Sequence, residues 1–447
     1  MAGRIAPGPR GRPIIGSLSA FRADPIGFLG GLRREHGDVA RFRLGKHVCH
    51  LVAHPRGVRH VLQDNSRNYG KQTPGIIKLR SILGNGLLTS EGAFWLRQRR
   101  IAQPAFRRER IAAFAAMMAK AVDDMRGEWE GARGGEVDVA ATMMKVTLRI
   151  VSETLFGTDV SPAAHELGRA LTTAVQITQR RIGRPFEFPR FLPLPEHRQF
   201  RAAMRVLDRM VEGLVADRRR SEARPNDLLS TIIDARDPES GEGMTDRQIR
   251  DEIMTILLAG HETTANTLTW TFHLLASHPA AAEQLTAEVD AVVGDRTPGA
   301  EDATRLPYLT SVLDEALRLY PPGWLFARSA IATDEVGGYE VPAGSIVFLC
   351  SYLTHRHPDF WDEPERFSPE RFHAATARDR FAYFPFSGGP RQCIGAGFAM
   401  QEMQLLVAMV AQRWHLRAIS DAPVGVEPLV TLRPRGGLRL RLEPRGL

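Results

Sequence analysis

The sequence predicts an α+β fold, mainly α-helical, organised around one very long helix with a few short strands. A helical pattern begins at Thr245, which forms a capping box with Gln248, and continues without proline to the stop signal at 277–279. Apolar stretches with the two-residue period of strands are short and few. They predict strands at 39–44, 48–52 and 345–349 and a hairpin turn at 336–339.

Composition places the chain among ordinary globular proteins. Of its 447 residues, 43% are hydrophobic and 25% are charged, which supplies apolar side chains for a large core. Length alone permits one to three domains. Because no internal repeat and no Ser/Gly-rich linker divides the sequence, we expect a single domain over 1–447, with a Pro/Gly-rich N-terminal segment at 1–13.

Charge and cysteine content limit the partners and the compartment. The net charge of +8 would suit a polyanion, but nearly all positive charge is arginine spread without a basic run, so no nucleic-acid partner is expected. No signal peptide and no stretch of about 18 apolar residues is present, so no membrane span is expected. Cys49, Cys350 and Cys393 are too few for a disulfide framework, which favours a cytoplasmic location.

The middle of the long helix contains residues that are unusual in a buried helix. At 1.5 Å per residue the helix would span roughly 48 Å and cross the whole domain, so its middle must be buried. The sequence there is Ala259-Gly-His-Glu-Thr-Thr264. Glycine costs about 1 kcal/mol relative to alanine in a helix, and a buried carboxylate such as Glu262 needs a partner. These residues therefore require an explanation from packing or from function.

A glycine-rich loop at 386–395 leads into a helical pattern at 398–414 and places Cys393 near the start of that helix. Free amides and the positive end of the helix dipole lower the pKa of a thiol at such a position, as a thiolate metal ligand requires. The glycines allow a flat ligand to approach the backbone, and Arg391 can donate to an anionic group on it. Without the full pattern, such a cysteine is usually a free thiol.

The segment Phe386-x-x-Gly-x-Arg-x-Cys-x-Gly395 resembles the haem-binding loop of the cytochrome P450 family. The resemblance implies the cytochrome P450 fold, with the long helix over the haem and small β-sheets. It covers essentially the whole chain, because other segments resemble further motifs of the family in the same order. These are the proline-rich segment (7–13), the propionate helix (95–99), the oxygen-binding helix (259–264), the Glu-x-x-Arg helix (315–318) and the Pro-Glu-Arg-Phe loop (369–372).

The resemblance implies a site for haem b, iron protoporphyrin IX, with Cys393 as the iron ligand. Trp95 and Arg99 share one helix face, and a Trp N–H beside a guanidinium suits a carboxylate. The resemblance assigns both residues to the haem propionates. The other expected contacts of the cofactor are Phe386, Arg391, Gly395, Arg328 and His355.

A second set of residues is expected to be structural. Glu315 and Arg318, three residues apart on a helix, would usually form an exposed ion pair of little energetic value. The resemblance instead joins them to an arginine of the Pro-Glu-Arg-Phe loop in a buried network on the thiolate side of the haem. That motif occurs twice, so the arginine is Arg371 or, alternatively, Arg366; the family context of the second copy favours Arg371.

Two groups of histidine and cysteine residues suggest zinc at first sight, but neither predicts a zinc site. Each begins in a strand-like segment, where neighbouring side chains point to opposite faces, and neither has the paired-cysteine spacing of a structural zinc site. The groups are His47, Cys49, His50 and His54, and Cys350, His355 and His357.

Residues of the long helix indicate how dioxygen would be used. A thiolate axial ligand favours O–O cleavage, which indicates oxygen activation rather than O2 carriage. Gly260, beside Ala259, would leave room for dioxygen, and the Thr263 hydroxyl would donate a hydrogen bond to it, with Thr264 as structural backup. Glu262 would bring protons into a nearly dry pocket.

The predicted function is a haem-thiolate monooxygenase that hydroxylates, or less often epoxidises, a lipophilic substrate. Too few residues follow Cys393 for a fused flavin reductase, so electrons would come from a ferredoxin or flavodoxin with its reductase. The apolar stretch 185–195 suggests a terpenoid, steroid or fatty acid, although a loop packed on the core explains it equally well. The alternatives are a peroxide-driven peroxygenase, which would not need an acid and alcohol pair, a haem sensor or carrier, and a basic binding protein without haem.

Arginines on and beyond the propionate helix predict where the electron donor docks. Arg97 lies about 200° around the helix from the face of Trp95 and Arg99, so it should face solvent on the thiolate side, with Arg100 more lateral. With the two arginines at 107–108 they would form a basic patch for an acidic partner. A solvated charged face is the alternative.

Overall fold

Helices dominate the fold, as the sequence predicts. The computed structural model describes residues 3–157, 164–182, 194–222, 227–373, 379–420 and 422–445, together with positions 184, 189, 192 and 225. In chain order the α-helices are α1 (Leu18–Ala23), α2 (Pro25–His36), α3 (Pro55–Arg59), α4 (Pro74–Leu83), α5 (Gly92–Ala102), α6 (Arg108–Ala113), α7 (Ala115–Glu130), α8 (Val139–Phe156), α9 (Ala164–Ile182), α10 (Pro195–Arg220), α11 (Leu228–Asp234), α12 (Asp246–Ser277), α13 (Pro279–Val292), α14 (Pro307–Leu319), α15 (Ser351–Thr354), α16 (Glu370–His373) and α17 (Ala396–Arg413).

The strands are short and form small sheets. The largest sheet has the order β1-β2-β8-β5-β3, a second has the order β4-β12-β9, and β6-β7 and β10-β11 are two-stranded hairpins. The strand predictions at 39–44, 48–52 and 345–349 are confirmed to within one residue, and the predicted turn at 336–339 joins β6 to β7. The strands are β1 (Val39–Leu44), β2 (His47–Val52), β3 (Tyr69–Gly70), β4 (Glu136–Asp138), β5 (Phe326–Ala330), β6 (Asp334–Val336), β7 (Tyr339–Val341), β8 (Ile346–Leu349), β9 (Trp414–Ala418), β10 (Val426–Pro428), β11 (Leu432–Pro434) and β12 (Arg439–Pro444).

Helix α12 is the long helix that the sequence predicts, and most of it is buried. The capping box is present, because the Thr245 hydroxyl accepts from the Gln248 amide and the Gln248 side chain accepts from the Thr245 amide. Several buried threonines inside the helix satisfy their hydroxyls locally. Thr267 and Thr271 donate to the carbonyls four residues earlier, at 2.9 and 2.8 Å. Polar side chains are therefore tolerated in the middle of this helix.

The largest core cluster surrounds α12 and combines buried side chains of α7, α8, α14 and α17. Trp270 of α12 is fully buried and stacks on Tyr320, with ring centroids 3.9 Å apart and planes within 4° of parallel. A second cluster lies between the five-stranded sheet and α2. The core thus fixes α12 against α17, the helix that follows the cysteine loop.

The N-terminal segment lies along the sheet. The Pro7 carbonyl accepts from the Arg41 amide, and the Arg4 carbonyl accepts from the Glu340 amide, both at 2.8 Å. A Cβ added at Gly8 would lie 1.7 Å from the Arg41 carbonyl oxygen, so this close approach requires glycine.

Most of the apolar stretch 185–195 lies outside the described residues. None of the helices that the structure describes is long and apolar enough to cross a membrane.

Candidate haem site

The loop before α17 is held in shape by its own backbone and by tight packing. The Cys393 amide donates to the Phe386 carbonyl at 2.9 Å, which closes the loop. Gly389 has a φ of +65°, and a Cβ there would lie 1.8 Å from the Leu62 carbonyl oxygen. Gly395 is different, because a Cβ there would meet only Phe106, at 3.7 Å. The protein's own packing therefore does not require the glycine at 395, and a glycine here would let a flat ligand lie close against the loop.

Cys393 is surrounded by protein atoms on most sides, and its side chain keeps some accessible surface. Burial raises the pKa of the Cys393 thiol, although a hydrogen bond from the Gly395 backbone and the nearby charge of Arg99 act in the opposite direction. This differs from the sequence expectation of a lowered pKa, because desolvation outweighs the helix terminus. A metal cation at the sulfur would supply the positive charge that the thiolate needs.

Helix α5 places aromatic and cationic side chains beside the cysteine loop. Arg99 donates to the Gln392 carbonyl at 2.8 Å. The guanidinium of Arg391 lies over the Trp95 ring, 4.0 Å from its centroid, and donates to the Ser90 carbonyl at 2.8 Å. Three of the predicted propionate contacts thus meet at one edge of the loop.

A lysine that the sequence did not single out joins this cluster. Lys71 is buried, and its ammonium donates to the Leu88 carbonyl at 2.7 Å. Burial, with the charges of Arg328 and Arg391, holds the pKa of Lys71 well below its usual range. Burial likewise lowers the pKa of Arg328 to about 10 and that of Arg391 to about 10. The structure brings Glu91 close to these cations, but its carboxylate accepts from the backbone amide of Lys71.

These features fit a haem. Buried cations of like charge repel one another and need negative charge nearby, which two propionates would provide. Most of α12 is buried, but Ala259, Gly260 and Thr263 on one face of it keep accessible surface. Cys393 keeps accessible surface as well. The cationic rim is formed by Lys71, Arg328 and Arg391. A thiol on one side, small residues of a helix on another and this rim suit a flat, dianionic iron porphyrin.

Gly260 has a packing reason that the sequence interpretation missed. A Cβ at this position would lie 3.1 Å from Val151 Cγ2 on α8, which is tighter than an ordinary contact. Thr147, also on α8, donates its hydroxyl to the His261 carbonyl at 3.2 Å. The close approach of α8 therefore gives the glycine a packing reason in addition to a functional one. Ala259, the residue before Gly260, is more exposed than Gly260 itself.

The predicted acid and alcohol on α12 have different surroundings. The Thr263 hydroxyl donates to the Ala259 carbonyl one turn earlier. Glu262 is buried, and its Oε1 accepts from the Thr431 hydroxyl at 2.6 Å. Burial raises the pKa of Glu262, while the Thr431 hydrogen bond and the charge of Arg433 partly oppose that rise. Thr264, the proposed backup, has a buried hydroxyl with no partner among the described residues.

The Glu315 and Arg318 pair is buried rather than exposed. Both side chains are 0% exposed, and two hydrogen bonds of 2.6 and 2.8 Å join them. Arg371 Nε lies 3.3 Å from Glu315 Oε1, whereas Arg366 pairs with the exposed Glu363. Arg318 also donates to the carbonyls of His355, Pro364 and Arg366. The geometry therefore brings Arg371, and not the side chain of Arg366, to the network.

His355 belongs to this network, since its carbonyl accepts from Arg318. Its Nε2 accepts from the Phe384 amide at 2.9 Å, and burial lowers the pKa of His355 to about 3. The structure thus gives Nε2 of His355 a backbone partner and leaves Nδ1 buried without one among the described residues, and a propionate contact from His355 stays a prediction.

Two other histidines of the rejected zinc groups have partners of their own, whereas both ring nitrogens of the buried His50 have none among the described residues. His54 accepts from the Arg56 amide at the start of α3, and His357 lies 3.1 Å from Asp38. Burial raises the pKa of Cys49 to about 12 and that of Cys350 to about 12. In the part of the chain that the structure describes, no group of three or more His, Cys, Asp or Glu side chains is arranged to hold a metal ion.

The predicted docking patch needs a correction. Arg97 does not face open solvent, because it donates to the Gly243 carbonyl at 2.7 Å and its side chain is 16% exposed. Arg100 forms an ion pair with Asp237 at 3.0 Å and another with Glu239. The segment 237–243 thus covers this face of α5, which the helix geometry alone did not indicate. The arginines at 107–108 are exposed.

Nearly the whole chain matches one protein family, because the profile of Cytochrome P450 covers residues 6–437. The chain belongs to the cytochrome P450 family. Cyclooctatin synthase of Streptomyces melanosporofaciens is 39% identical to this cytochrome P450 over 445 residues, 99% of this chain and 95% of that protein. Cyclooctat-9-en-7-ol 5-monooxygenase of the same organism is 38% identical over 418 residues, 92% of this chain and 89% of that protein.

A third relative and a solved structure also belong with the cytochrome P450 family. Pentalenene oxygenase of Streptomyces avermitilis is 32% identical over 440 residues, 98% of this chain and 97% of that protein. The crystal structure of the cytochrome P450DA haem domain superposes with a TM-score of 0.91 at 28% identity, over 100% of this chain and 99% of that one. The predicted fold class is confirmed, and this cytochrome P450 is a haem-iron monooxygenase, an oxidoreductase.

Proposed function

We propose that this cytochrome P450 hydroxylates, or epoxidises, a polycyclic terpenoid. The observation that carries the proposal is the joint presence of the Cys393 loop, the cationic rim and the Glu262 and Thr263 pair on α12. The terpenoid class is supported by three relatives, cyclooctatin synthase, cyclooctat-9-en-7-ol 5-monooxygenase and pentalenene oxygenase, which are named for terpenoid oxidations. A steroid or a fatty acid has no comparable support.

The residues present divide the work of binding the cofactor. When bound, haem b with a thiolate ligand supplies the oxygen-activating chemistry. Cys393 is the proposed iron ligand. Lys71, Arg328 and Arg391 neutralise the propionates, and Trp95 and Arg99 add N–H donors at the same edge.

The net reaction consumes O2, two electrons and two protons. One oxygen atom enters a C–H bond of the substrate, or adds across a C=C bond, and the other leaves as water. The side chains of this protein manage the protons: Glu262 carries them, and the Thr263 hydroxyl holds the last hydrogen-bond position before the pocket. Water is kept out by the apolar packing around the middle of α12.

The two electrons are proposed to come from a ferredoxin or flavodoxin with its reductase. The segment that carries Arg107 and Arg108 packs beside the cysteine loop, since Phe106 lies against Gly395 and Ile111 against Gly397. Exposed arginines at this place would steer an acidic partner toward the shortest route to the iron.

The proposal is tested with purified holoenzyme, reduced ferredoxin and ¹⁸O2. Cyclic di- and sesquiterpenes, a steroid and a fatty acid are first screened for a shift of the Soret band on binding. We expect a terpene to give the shift and to form a product with one ¹⁸O atom. Cys393→Ala should lose the red-shifted reduced-CO band. A wild-type protein that turns over only the fatty acid or the steroid, or a Cys393→Ala variant that keeps both the band and turnover, would overturn the proposal.

A further inference from the structure

Three side chains on one face of α12 attach the β10–β11 hairpin. Glu262, Asn266 and Trp270 are spaced by four residues, so they line one stripe of the helix. The Thr431 hydroxyl bonds to Glu262 at 2.6 Å, Asn266 Nδ2 bonds to Thr431 at 3.0 Å, and Trp270 Nε1 donates to the Leu432 carbonyl at 3.3 Å. The proposed proton carrier is therefore held by a hairpin rather than by its own helix.

The hydrogen bonds fix the direction of the Thr431 hydroxyl. A hydroxyl has one proton to donate, and Asn266 Nδ2 already occupies an acceptor position on the Thr431 oxygen. The proton of Thr431 consequently points at Glu262 Oε1. All three side chains are buried, at 6% exposure for Thr431, 2% for Asn266 and 7% for Glu262, so bulk water does not compete for these bonds.

The same hairpin leads to the surface. Arg433 lies two residues beyond Thr431, and its Nε donates to Glu427 Oε2 at 2.7 Å. The two side chains are 25% and 36% exposed, so this ion pair contacts solvent. Arg433 is also close enough for its charge to favour the ionised form of Glu262. The solvent-exposed ion pair therefore lies on the same hairpin that holds Glu262 through Thr431.

Thr431 is not needed to hold the hairpin in place. Trp270 donates to the Leu432 carbonyl, Trp324 Nε1 donates to the Leu429 carbonyl at 2.9 Å, and the Leu432 amide donates to the Pro322 carbonyl at 3.0 Å. These bonds remain when the Thr431 hydroxyl is removed. A loss of function at Thr431 would therefore not be a loss of anchoring.

We propose that Thr431 is a positioning residue for proton delivery, which holds Glu262 toward the hairpin where protons arrive from solvent. Glu262 takes up a proton at this side and releases it toward Thr263, twice in each turnover, so that both protons end in the water formed from O2. The inference rests on the proposed function of Glu262 and Thr263. It adds that the β10–β11 hairpin sets the supply of protons.

The test compares Thr431→Val, which keeps the shape but removes the hydroxyl, with Thr431→Ser, which keeps the hydroxyl. With holoenzyme, ferredoxin and O2, we expect Thr431→Val to lower the rate of product formation about tenfold, as for one lost hydrogen bond to a charged group. Electron consumption should fall less and the surplus should appear as hydrogen peroxide. Thr431→Ser should restore the yield of product per electron. Peroxide-driven turnover and the Soret shift on substrate binding should not change.

A matched control separates proton supply from anchoring of the hairpin. Trp324→Phe removes a different bond to the hairpin and leaves Glu262 untouched, so it should keep the wild-type yield. Equal losses in Trp324→Phe and Thr431→Val, no rescue by serine, or a wild-type yield in Thr431→Val would overturn the inference.

One readout does not depend on turnover. The infrared band of the protonated Glu262 carboxyl, assigned by its disappearance in Glu262→Gln, should shift in Thr431→Val and return in Thr431→Ser. Absence of product from the wild type with every substrate would remove the proposed function, while this band would still decide whether Thr431 holds Glu262. An unshifted band would sink the inference alone.

Discussion

Lys71 shows how a single buried charge reveals what the fold is built to bind. Its ammonium has a carbonyl partner, but its neighbours Arg328 and Arg391 repel it, and burial disfavours its charge. Such an arrangement is unfavourable by itself and becomes favourable with an anion. No local pattern marks this lysine in the sequence, since its two cationic neighbours belong to distant segments.

Replacing Lys71 by methionine should weaken haem binding by the holoenzyme, but it should not destabilise the apoprotein. Haem should be lost roughly ten- to a hundredfold faster, as for one hydrogen bond to a charged group of about 1.5–3 kcal/mol. The free energy of unfolding of the apoprotein should stay the same or rise, because a buried repulsion is removed. Haem transfer to a scavenging apoprotein and urea unfolding measure the two effects.

Lys46→Met is the matched control, because Lys46 is exposed. It should change neither haem loss nor unfolding. Slower haem loss from Lys71→Met than from the wild type would contradict a propionate role for this lysine.

At the scale of elements, α5 illustrates where helix geometry succeeds and where it stops. The period of the helix correctly puts Trp95 and Arg99 on the side of the cysteine loop. It also puts Arg97 on another side, but it cannot tell that the segment 237–243 folds over that side. Arginines with carbonyl and carboxylate partners anchor a loop, whereas exposed arginines nearby remain free for long-range attraction.

Two double variants should separate anchoring from docking. Arg107→Glu with Arg108→Glu should slow reduction by an acidic ferredoxin at least tenfold at low ionic strength, with a weaker salt dependence and an unchanged melting temperature. Arg97→Glu with Arg100→Glu should instead lower the melting temperature, because the segment 237–243 loses its ion pairs and the Gly243 carbonyl loses its donor. Stopped-flow reduction and thermal unfolding measure the two outcomes. Normal reduction kinetics in the first pair would mean that the donor docks elsewhere.

Across the whole molecule, the parts that the sequence predicted are those specified by neighbouring residues. The capping box at Thr245 and the stop at 277–279 define α12 within a turn of chain at each end, and the glycine spacing defines the Cys393 loop. The roles of Lys71 and Thr431 depend on contacts between distant segments, such as the 169 residues between Thr431 and Glu262. Composition and periodicity contain no record of these contacts.

Stability should depend on pH through buried acids. Burial raises the pKa of Glu252 to about 8 from 4.5, and it also raises the pKa of Glu262 and Glu402. A raised carboxyl pKa adds stability that is complete below the unfolded value and is lost as pH rises through the folded one. Buried histidines act oppositely below their unfolded pKa of 6.5, since burial lowers the pKa of His50 and His261 to about 4.

The net expectation is a free energy of unfolding that falls as pH rises from about 6.5 to about 8, by no more than about 1.4 kcal/mol per pH unit for each acid. Urea midpoints of the holoenzyme across this range measure it. Glu252→Gln keeps an acceptor for the Leu87 amide and should flatten the slope. A midpoint that rises with pH in the wild type would contradict the expectation.

The rim residues and the thiol lie far apart in the sequence, and this distance affects when the protein could bind haem during its synthesis. Lys71 emerges from the ribosome first, Arg328 follows much later, and Cys393 comes last of the three. A binding site drawn from such distant parts is complete only after Cys393 has been synthesised. Haem uptake would then follow the synthesis of all three segments, and a culture short of iron or porphyrin would accumulate protein without haem.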